Sequence, residues 1–514
     1  MPPFAFSNWP PSLSEDQLQE LTLIATSYAL SHGLLYLPVA AKQPPAPSSA
    51  IHAPLSLFPS PFPRQLFEQA QKLQHIYNTL YARIAMDEDF LDEVMGAVDG
   101  VGAVDEFVGQ LWKGWKQVRD EDAVPLQLGL FRSDYLLHST SDPPSLKQVE
   151  FNTISSSFGT LSDRVAGLHR YILFANGYYD SSPHLKAENF PPNNTTAGLA
   201  QGLAAAHEAY NVPGSSVLFV VQPGERNVFD QRWLEYELLE RHSIKVIRQT
   251  MSDLAQTASI DLNTKVLTIK TATLSTPVEI STIYFRACYT PTDFPDSAAY
   301  ELRFLLERSR AIKCPSIPLQ LAGGKKVQQV LCQPGILERF LTPADASTSS
   351  FSQEDISELR ASWMYMWGMD LNGDEGVEKA LTNHGKLVLK PQREGGGNNV
   401  YKASIPPFLR TLDASERQAW IAMELIEPPE GLGGYLVRAA GPEQQRREHE
   451  GEQADKVVRA DVVSELGIFG WALFGLGKVN RDEEVGWLVR TKGKDSDEGG
   501  VATGFSVLDS LVLV

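Results

Sequence analysis

KLVLKPQREGGGNNVY, Lys386 to Tyr401, begins as an apolar strand and opens into a loop of mixed charge around three consecutive glycines. Such a loop is costly in backbone entropy and packs nothing. It is useful where backbone N–H groups must converge on anionic oxygens, and Lys390 beside it supplies a point charge. Glu394 in the same loop would repel a phosphate, unless a divalent cation lies between them. Mg²⁺ is commonly held in that way, by one or two carboxylates plus phosphate oxygens. Taken by itself the stretch reads more simply as a surface hairpin with solvated charges. No GxxxxGK[ST] motif occurs, and Gly431, Gly433 and Gly434 do not form a dinucleotide fingerprint behind a strand. A nucleotide-binding fold here must therefore use another architecture.

At 514 residues the chain is too long for one core, so two or three packed units are expected. Hydrophobic residues make up 43% and charged residues 21%, with a mean hydropathy of −0.19, as in a water-soluble globular protein. No apolar run reaches the ~18–20 residues that span a bilayer, and MPPFAFSNWPPSLSEDQ lacks the pattern of a secretory signal. Three cysteines, Cys288, Cys314 and Cys332, form neither a disulfide framework nor a zinc-site spacing. The cytosol is the expected compartment, and the sequons at Asn193 and Asn194 read as incidental. A net charge of −18 argues against nucleic-acid or anionic-membrane partners. Any anionic ligand must then be held by local cations.

The N-terminal part reads as helical, with RQLFEQAQKLQHIYNTLYARIA from Arg64 carrying apolar residues at helical spacing. LQLGLFRSDYLLH and LKQVEFNTISSSFG read as two strands joined by a turn. Around Asn211 a second unit begins. Strand SSVLFVVQ, helix FDQRWLEYELLER, strands KVIRQT and TIYFR, and helix AYELRFLLERSRAIK alternate as in a small parallel α/β domain. Gly441 to Lys456 is almost free of apolar residues and reads as a solvated insertion. VVSELGIFGWALF and GWLVRTK resume strand-like alternation.

Within QVEFNTISSSFGTL, strand geometry puts Glu150 and Asn152 on one face, where a carboxylate and an amide oxygen could share one cation. Ser155 and Ser157 follow with hydroxyls suited to a small polar ligand, while Ser162 is expected to cap the next helix. Arg132, Arg286 and Arg490 each end or interrupt a strand. Three such arginines in so acidic a protein suggest carboxylate recognition. Lys492 would share a face with Arg490, whereas the Lys325–Lys326 pair can be read as the start of a solvated helix. Arg393 is left without a role. Together these features describe ATP-dependent chemistry on a carboxylate.

At this point the sequence resembles a known family. LGLFRSDY, QVEFNTISSSFGTL, ERNVFDQR, IYFRACY, LLERSRAIKCP, QLAGGKKVQQ, LVLKPQREGGGNNVY, SELGIFG, LVRTK and GGVATG occur in the order found in the eukaryotic glutathione synthetases. These are homodimeric ATP-grasp ligases that join γ-glutamylcysteine to glycine. The resemblance implies an α/β fold: an α+β ATP-grasp core with an inserted small parallel α/β substrate-binding domain and a helical N-terminal region. The implied bounds are 1–212 for the N-terminal region and first part of the core, 213–322 for the substrate-binding domain, and 323–514 for the rest of the core and lid.

The resemblance also implies site residues. Glu150, Asn152 and Glu394 match the Mg²⁺-binding positions. Leu136, Lys325, Lys390, Gly395, Gly396, Gly397, Asn399, Tyr401, Met423, Glu424, Ile426, Glu465, Lys492 and Glu498 match the ATP pocket. Arg132, Ser155, Ser157, Glu225, Asn227, Gln231, Arg286, Tyr289, Arg490, Val501 and Ala502 match the site for γ-glutamylcysteine and glutathione. Arg132, Arg490 and Lys390 are the expected catalytic groups, and Gly395–Gly397 with Gly499–Gly500 match two covering loops. This chain departs from the family pattern at Glu498, where the family has an aspartate, and at Leu136, where it has a methionine. The insertion at Gly441–Lys456 and one extra residue after Tyr289 also depart. A related ligase using β-alanine or serine, and a nucleotide-binding regulatory protein without turnover, are the rival readings. The second would be expected to lose Glu150, Asn152 or Glu394, and all three are present.

Overall fold

The computed structural model describes residues 4–38, 45–119, 126–140, 143–273, 275–342, 350–369, 374–394, 397–439, 457–496, 501 and 506–514. The helices that matter below are α1 (Glu15–Ser31), α2 (Arg64–Met86), α3 (Glu106–Val118), α4 (Gly159–Ala175), α5 (Thr195–Tyr210), α6 (Val228–His242), α7 (Ser297–Arg308) and α8 (Lys325–Leu331). The strands are β1 (Leu126–His138), β2 (Ser145–Asn152), β3 (Ser216–Val221), β4 (Val246–Thr250), β5 (Val278–Phe285), β6 (Ile312–Cys314), β7 (Leu387–Pro391), β8 (Trp420–Glu424), β9 (Val457–Gly475), β10 (Lys478–Gly493) and β11 (Ser506–Asp509).

One large mixed sheet organises the protein. β11, β10, β9 and β1 lie side by side and antiparallel, with β2 also paired to β1. The sheet continues through β6, which is parallel to both β1 and β5, and then through β3 and β4, also parallel. Strands β3 to β6 of the expected α/β unit are thus parallel among themselves and continuous with the antiparallel part, while the short strands Ala258–Ile260 and Leu267–Ile269 of the same unit add to β5 antiparallel. A second sheet of four strands pairs β7 with β8 and with Val400–Tyr401, and β8 with Met366–Gly368. The opening stretch is therefore a hairpin stem on a separate sheet.

From Leu466 to Gly475, β9 is buried at every residue, which is not the alternation that the sequence suggested. The reason lies in its cover: α2 packs against β9 and β10 on one side, and α5 packs against both on the other. A strand covered on both faces reads as a continuous apolar run. Helix α2 itself buries Phe67, Ala70, Leu73, Ile76, Tyr77, Leu80 and Tyr81, the i, i+3, i+4 stripe expected of a core-facing helix. The β9–β10 hairpin turns at Leu476 (φ 52°) and Gly477 (φ 75°), two residues in the left-handed region as a type I′ turn requires.

One irregularity bears on the site. Phe469 pairs with Gly486, but Gly470 pairs with Glu484, so Val485 is an extra residue in β10. Gly486 has a φ of +134°, and a Cβ there would lie 2.2 Å from Thr195 Oγ1 and 2.7 Å from Asn193 Oδ1. This bulge sets the course of Trp487–Arg490. Gly486→Ala should lower unfolding stability by about 1–3 kcal/mol through backbone strain, with the steric clash adding to it. Gly477→Ala, also at positive φ but with open space around it, should cost less. Denaturant titration of the two variants against the parent checks the order.

Candidate active site

Antiparallel pairing places β1 between β2 and β9, with β10 beyond, and so concentrates charge on adjacent strands. Arg132 lies opposite Asn152, Asp134 opposite Glu150, and Glu465 opposite Arg490. At the centre is Asp134, with no solvent exposure. Its carboxylate accepts from Arg132 Nε at 2.6 Å and Nη2 at 2.8 Å, from Asn152 Nδ2 at 3.0 Å and from Arg490 Nη2 at 3.0 Å. The Arg132 fork thus pairs in bidentate fashion, the strongest geometry available to such a pair. Arg490 is also ion-paired to Glu465. Gly467, opposite Asp134 on β9, makes this packing possible: a Cβ there would stand 2.8 Å from Arg132 Cδ and 2.9 Å from Asp134 Oδ1. Burial alone would lower the Arg490 basicity, but Glu465, Asp134 and Glu150 more than offset it and hold the guanidinium charged.

A second charged centre adjoins the first. Lys325 Nζ, at the N-terminus of α8, sits 3.1 Å from Glu150 Oε2 and 3.5 Å from Glu394 Oε1. The expectation of a solvated lysine pair is corrected here, since Lys325 and Lys326 are both buried. Lys390 is buried on β7 and donates to the Val149 carbonyl at 2.8 Å, which brings β7 against β2. Burial pushes the Lys390 ammonium down to about 8, Glu150 opposing and Lys325 adding to the push. Burial pushes the Glu394 carboxyl up against the pull of Lys325, with the Glu150 charge adding to the rise. For Glu150 burial acts in the same direction, but Lys325, Lys390 and Arg490 together hold it well below the usual range.

These surroundings fit a divalent cation. Two carboxylates already converge on one positive centre, and Asn152, whose Nδ2 is engaged by Asp134 and the Arg132 carbonyl, has its amide oxygen as the atom a cation could use. An all-oxygen set of that kind suits Mg²⁺. Among the described residues no cluster of three or more His, Cys, Asp or Glu side chains has metal-ligand geometry.

The third group lies just past the end of β2 that carries Glu150 and Asn152. Arg286, buried after β5, donates from Nη1 to Ser156 O at 2.7 Å and from Nη2 to Ser157 Oγ at 2.7 Å. It therefore shapes the serine loop, in which Ser155 takes a φ of +53°. Glu225 accepts from Asn227 N at 2.8 Å and from Gln231 Nε2 at 3.4 Å. The Tyr289 hydroxyl donates to Gln222 Oε1 at 3.4 Å, and burial raises its pKa, with Glu225 adding and Arg286 opposing. Asn227 Oδ1, Gln231 Oε1 and Arg286 Nε are buried without a hydrogen-bond partner among the described residues. Orphaned polar atoms cost about 1–3 kcal/mol each unless a ligand or water engages them.

Of the expected ATP residues, Lys390, Tyr401, Met423 and Glu424 lie on the smaller sheet, while Leu136, Glu465 and Lys492 lie on the large one. Val388 pairs with Met423 and Leu387 with Glu424, Ile426 follows β8, and Asn399 Nδ2 donates to the Tyr401 hydroxyl at 3.1 Å. Leu136 lies opposite Lys147 and Lys492 opposite Val463. Gly397 is exposed with a φ of +77°, and Val501 is buried. Gly395, Gly396, Glu498, Gly499, Gly500, Ala502 and the Gly441–Lys456 insertion lie outside the described residues.

Ser162 is not a cap. Helix α4 begins at Gly159, and Ser162 Oγ donates to the carbonyls of Gly159 and Trp487. The capping acceptor is Asp230 from α6, which takes Phe158 N at 2.8 Å and Thr160 N at 3.0 Å. Sequence reasoning missed Asp230 and Asp134 alike. For Asp134 a signal existed, because an Arg-x-Asp step along a strand puts both side chains on one face; for Asp230 the partner is some 70 residues away in sequence.

Comparisons with known proteins place the chain in a family. The sequence profile described as "Eukaryotic glutathione synthase, ATP binding domain" matches residues 15–513. The glutathione synthetase of Homo sapiens is 38% identical over 511 residues, covering 98% of this chain and 99% of that protein. That of Xenopus laevis is 37% identical, covering 97% of each. The glutathione synthetase large chain of Schizosaccharomyces pombe is 35% identical, covering 97% and 98%. Among solved structures, a glutathione synthetase-like effector from Globodera pallida in its apo form superposes with a TM-score of 0.75 over 99% of this chain and 100% of its own, at 23% identity, a likeness of fold. On the match of profile and relatives over almost its whole length, the chain belongs to the eukaryotic glutathione synthase family.

Proposed function

We propose that this protein is the ATP-dependent ligase that makes glutathione from γ-L-glutamyl-L-cysteine and glycine, releasing ADP and phosphate. The observation that carries the reading is the juxtaposition of two centres. Two arginines share the buried Asp134, and beside them Lys325 is flanked by Glu150 and Glu394. The first suits a carboxylate substrate, the second a metal-bound polyphosphate. The carboxylate of the cysteinyl residue attacks the γ-phosphate of ATP, giving an acyl phosphate and ADP. The glycine nitrogen then attacks the acyl carbon, and phosphate leaves with the former carboxylate oxygen.

Each group has a task in that sequence. Arg132 and Arg490 hold the reacting carboxylate and stabilise the oxyanion of the tetrahedral intermediate, and Asp134 fixes both guanidiniums in advance. Lys325 and Lys390 hold phosphate oxygens. Mg²⁺ at Glu150, Asn152 and Glu394 would supply charge neutralisation between two approaching anions. Asn399, Tyr401, Met423, Glu424, Ile426, Glu465 and Lys492 complete the ATP site, and Ser155, Ser157, Glu225, Asn227, Gln231, Arg286 and Tyr289 hold γ-glutamylcysteine. The ATP-grasp core and the unit bounds 1–212, 213–322 and 323–514 belong to the same proposal. We also read the protein as cytoplasmic and homodimeric. In support of a dimer, Leu23 and Leu30 on α1, Tyr171 and Phe174 on α4, and Tyr236 and Leu239 on α6 are exposed at one-turn or two-turn spacing. Among the described residues no helix is long and apolar enough to cross a membrane.

ADP release should require γ-glutamylcysteine and glycine together, and mass analysis of products formed with glycine, β-alanine and serine in competition should show the glycine adduct. No ADP under any mixture would overturn the ligase reading, and a dominant β-alanine or serine product would favour the related ligase. Glu394→Gln should lower kcat on the order of a thousandfold, the loss expected when a catalytic cation is no longer held. The cation on Lys390 is present below about pH 8 and is lost above it. Thus kcat/KM for ATP, which reports the free enzyme, should fall as pH rises through about 8, and Lys390→Arg should remove that fall. Size-exclusion chromatography with light scattering should return twice the 56.8 kDa chain mass, and a single-chain mass would exclude the homodimer.

A further inference from the structure

The ligase chemistry above makes no use of Arg393, yet the side chain is not a solvated loop residue. Its Nη1 donates to Asp105 Oδ2 at 2.5 Å and to the Gln392 carbonyl at 2.8 Å, and its guanidinium carbon lies 5.8 Å from the centre of the Phe107 ring. Asp105 is buried and is the N-cap of α3: its other oxygen, Oδ1, accepts from Val108 N at 3.1 Å. One carboxylate therefore ties a helix of the N-terminal region to the stem of the glycine-rich loop.

The residues on either side are tied elsewhere. Gln392 Oε1 accepts from Lys326 N at 3.0 Å, and its Nε2 donates to the Ala419 carbonyl at 3.1 Å. Glu394 pairs with Lys325. Gln392 and Glu394 thus both reach the start of α8 while Arg393 between them reaches α3, immediately before the glycines. We infer that Arg393, held by Asp105, is a positioning residue that fixes the backbone from which Glu394 reaches the Glu150–Lys325 centre. The inference rests on the reading of Glu394 as a magnesium ligand. The physical need is clear: a carboxylate next to three glycines would otherwise be ordered only at binding, at a cost in conformational entropy. Pairing Arg393 with Asp105 also keeps a free guanidinium from competing with Lys325 for Glu394.

The test measures magnesium half-saturation in two ways. One is the rise in Tm of the full-length protein on titrating magnesium with a non-hydrolysable ATP analogue. The other is the magnesium dependence of ADP release. Asp105→Asn is the informative variant, because asparagine caps a helix as well as aspartate does but lacks the charge that holds Arg393. Half-saturation should rise roughly tenfold in Asp105→Asn and in Arg393→Ala, the scale of loss seen when groups orienting metal ligands are removed. KM for γ-glutamylcysteine should change less than twofold. The double variant should shift no further than either single, as expected of two groups acting as one unit, and Arg393→Lys should recover part of the loss. An unchanged half-saturation in Asp105→Asn with the Tm of the free protein retained would overturn the inference, as would additive shifts in the double variant. Glu394→Gln separates the two levels. If it raises half-saturation while Asp105→Asn does not, only the positioning role fails; if it leaves half-saturation unchanged, the metal reading fails and takes the inference with it.

Discussion

Asp134 is a carboxylate without solvent exposure, and two guanidiniums and an amide from three other strand positions converge on it. Removing one partner from such a buried pair typically costs about 3–5 kcal/mol, because the other charge is left uncompensated. The register of β1 against β2 and β9, and of β9 against β10, is what brings these groups into reach. A slip of β1 by one residue would turn Arg132 and Asp134 to the face away from Asn152 and Arg490. The bulge at Val485 and the absence of a side chain at Gly467 both serve this arrangement, one by directing β10 and the other by leaving room.

From that hub the rest of the charge distribution follows. Arg490 bridges Asp134 and Glu465, while Glu150, two residues along from the Arg132–Asn152 pair, faces Lys325 and Lys390. Negative and positive groups alternate across the cluster, so that each cation is held charged by an anion and each anion is restrained by a cation. In a protein of net charge −18, such a local set of cations is what lets anionic substrates approach at all. The serine loop and the Glu225–Gln231 group form a less charged annex, whose unpartnered amide oxygens suit the polar head of an amino acid.

Much of this was legible in the sequence, and the limits are instructive. The strand character of the stretches around Arg132, Glu150 and Arg490 followed from composition and period, and the parallel strands near Val217 followed from their continuous apolar runs. The shared face of Glu150 and Asn152 followed from the two-residue period alone. What escaped was contact between distant segments. Lys325 and Lys326 looked solvated because nothing local reveals that Gln392 and Glu394, after β7, meet them. Ser162 looked like a cap because the true acceptor, Asp230, belongs to another helix. The continuous burial of β9 depends on helices α2 and α5, far apart in the chain. Arg393 had no reading until Asp105, from the helical N-terminal region, was placed beside it.

The central claim is that the paired arginines hold a carboxylate while the Lys325 centre presents a phosphate for it to attack. Transfer of oxygen tests this most directly. γ-Glutamylcysteine labelled with ¹⁸O at both oxygens of its cysteinyl carboxylate, turned over with ATP and glycine, should deliver one ¹⁸O to each inorganic phosphate released and retain the other in the new amide. Phosphate free of label, with glutathione still formed, would contradict an acyl phosphate and with it the role assigned to the two centres.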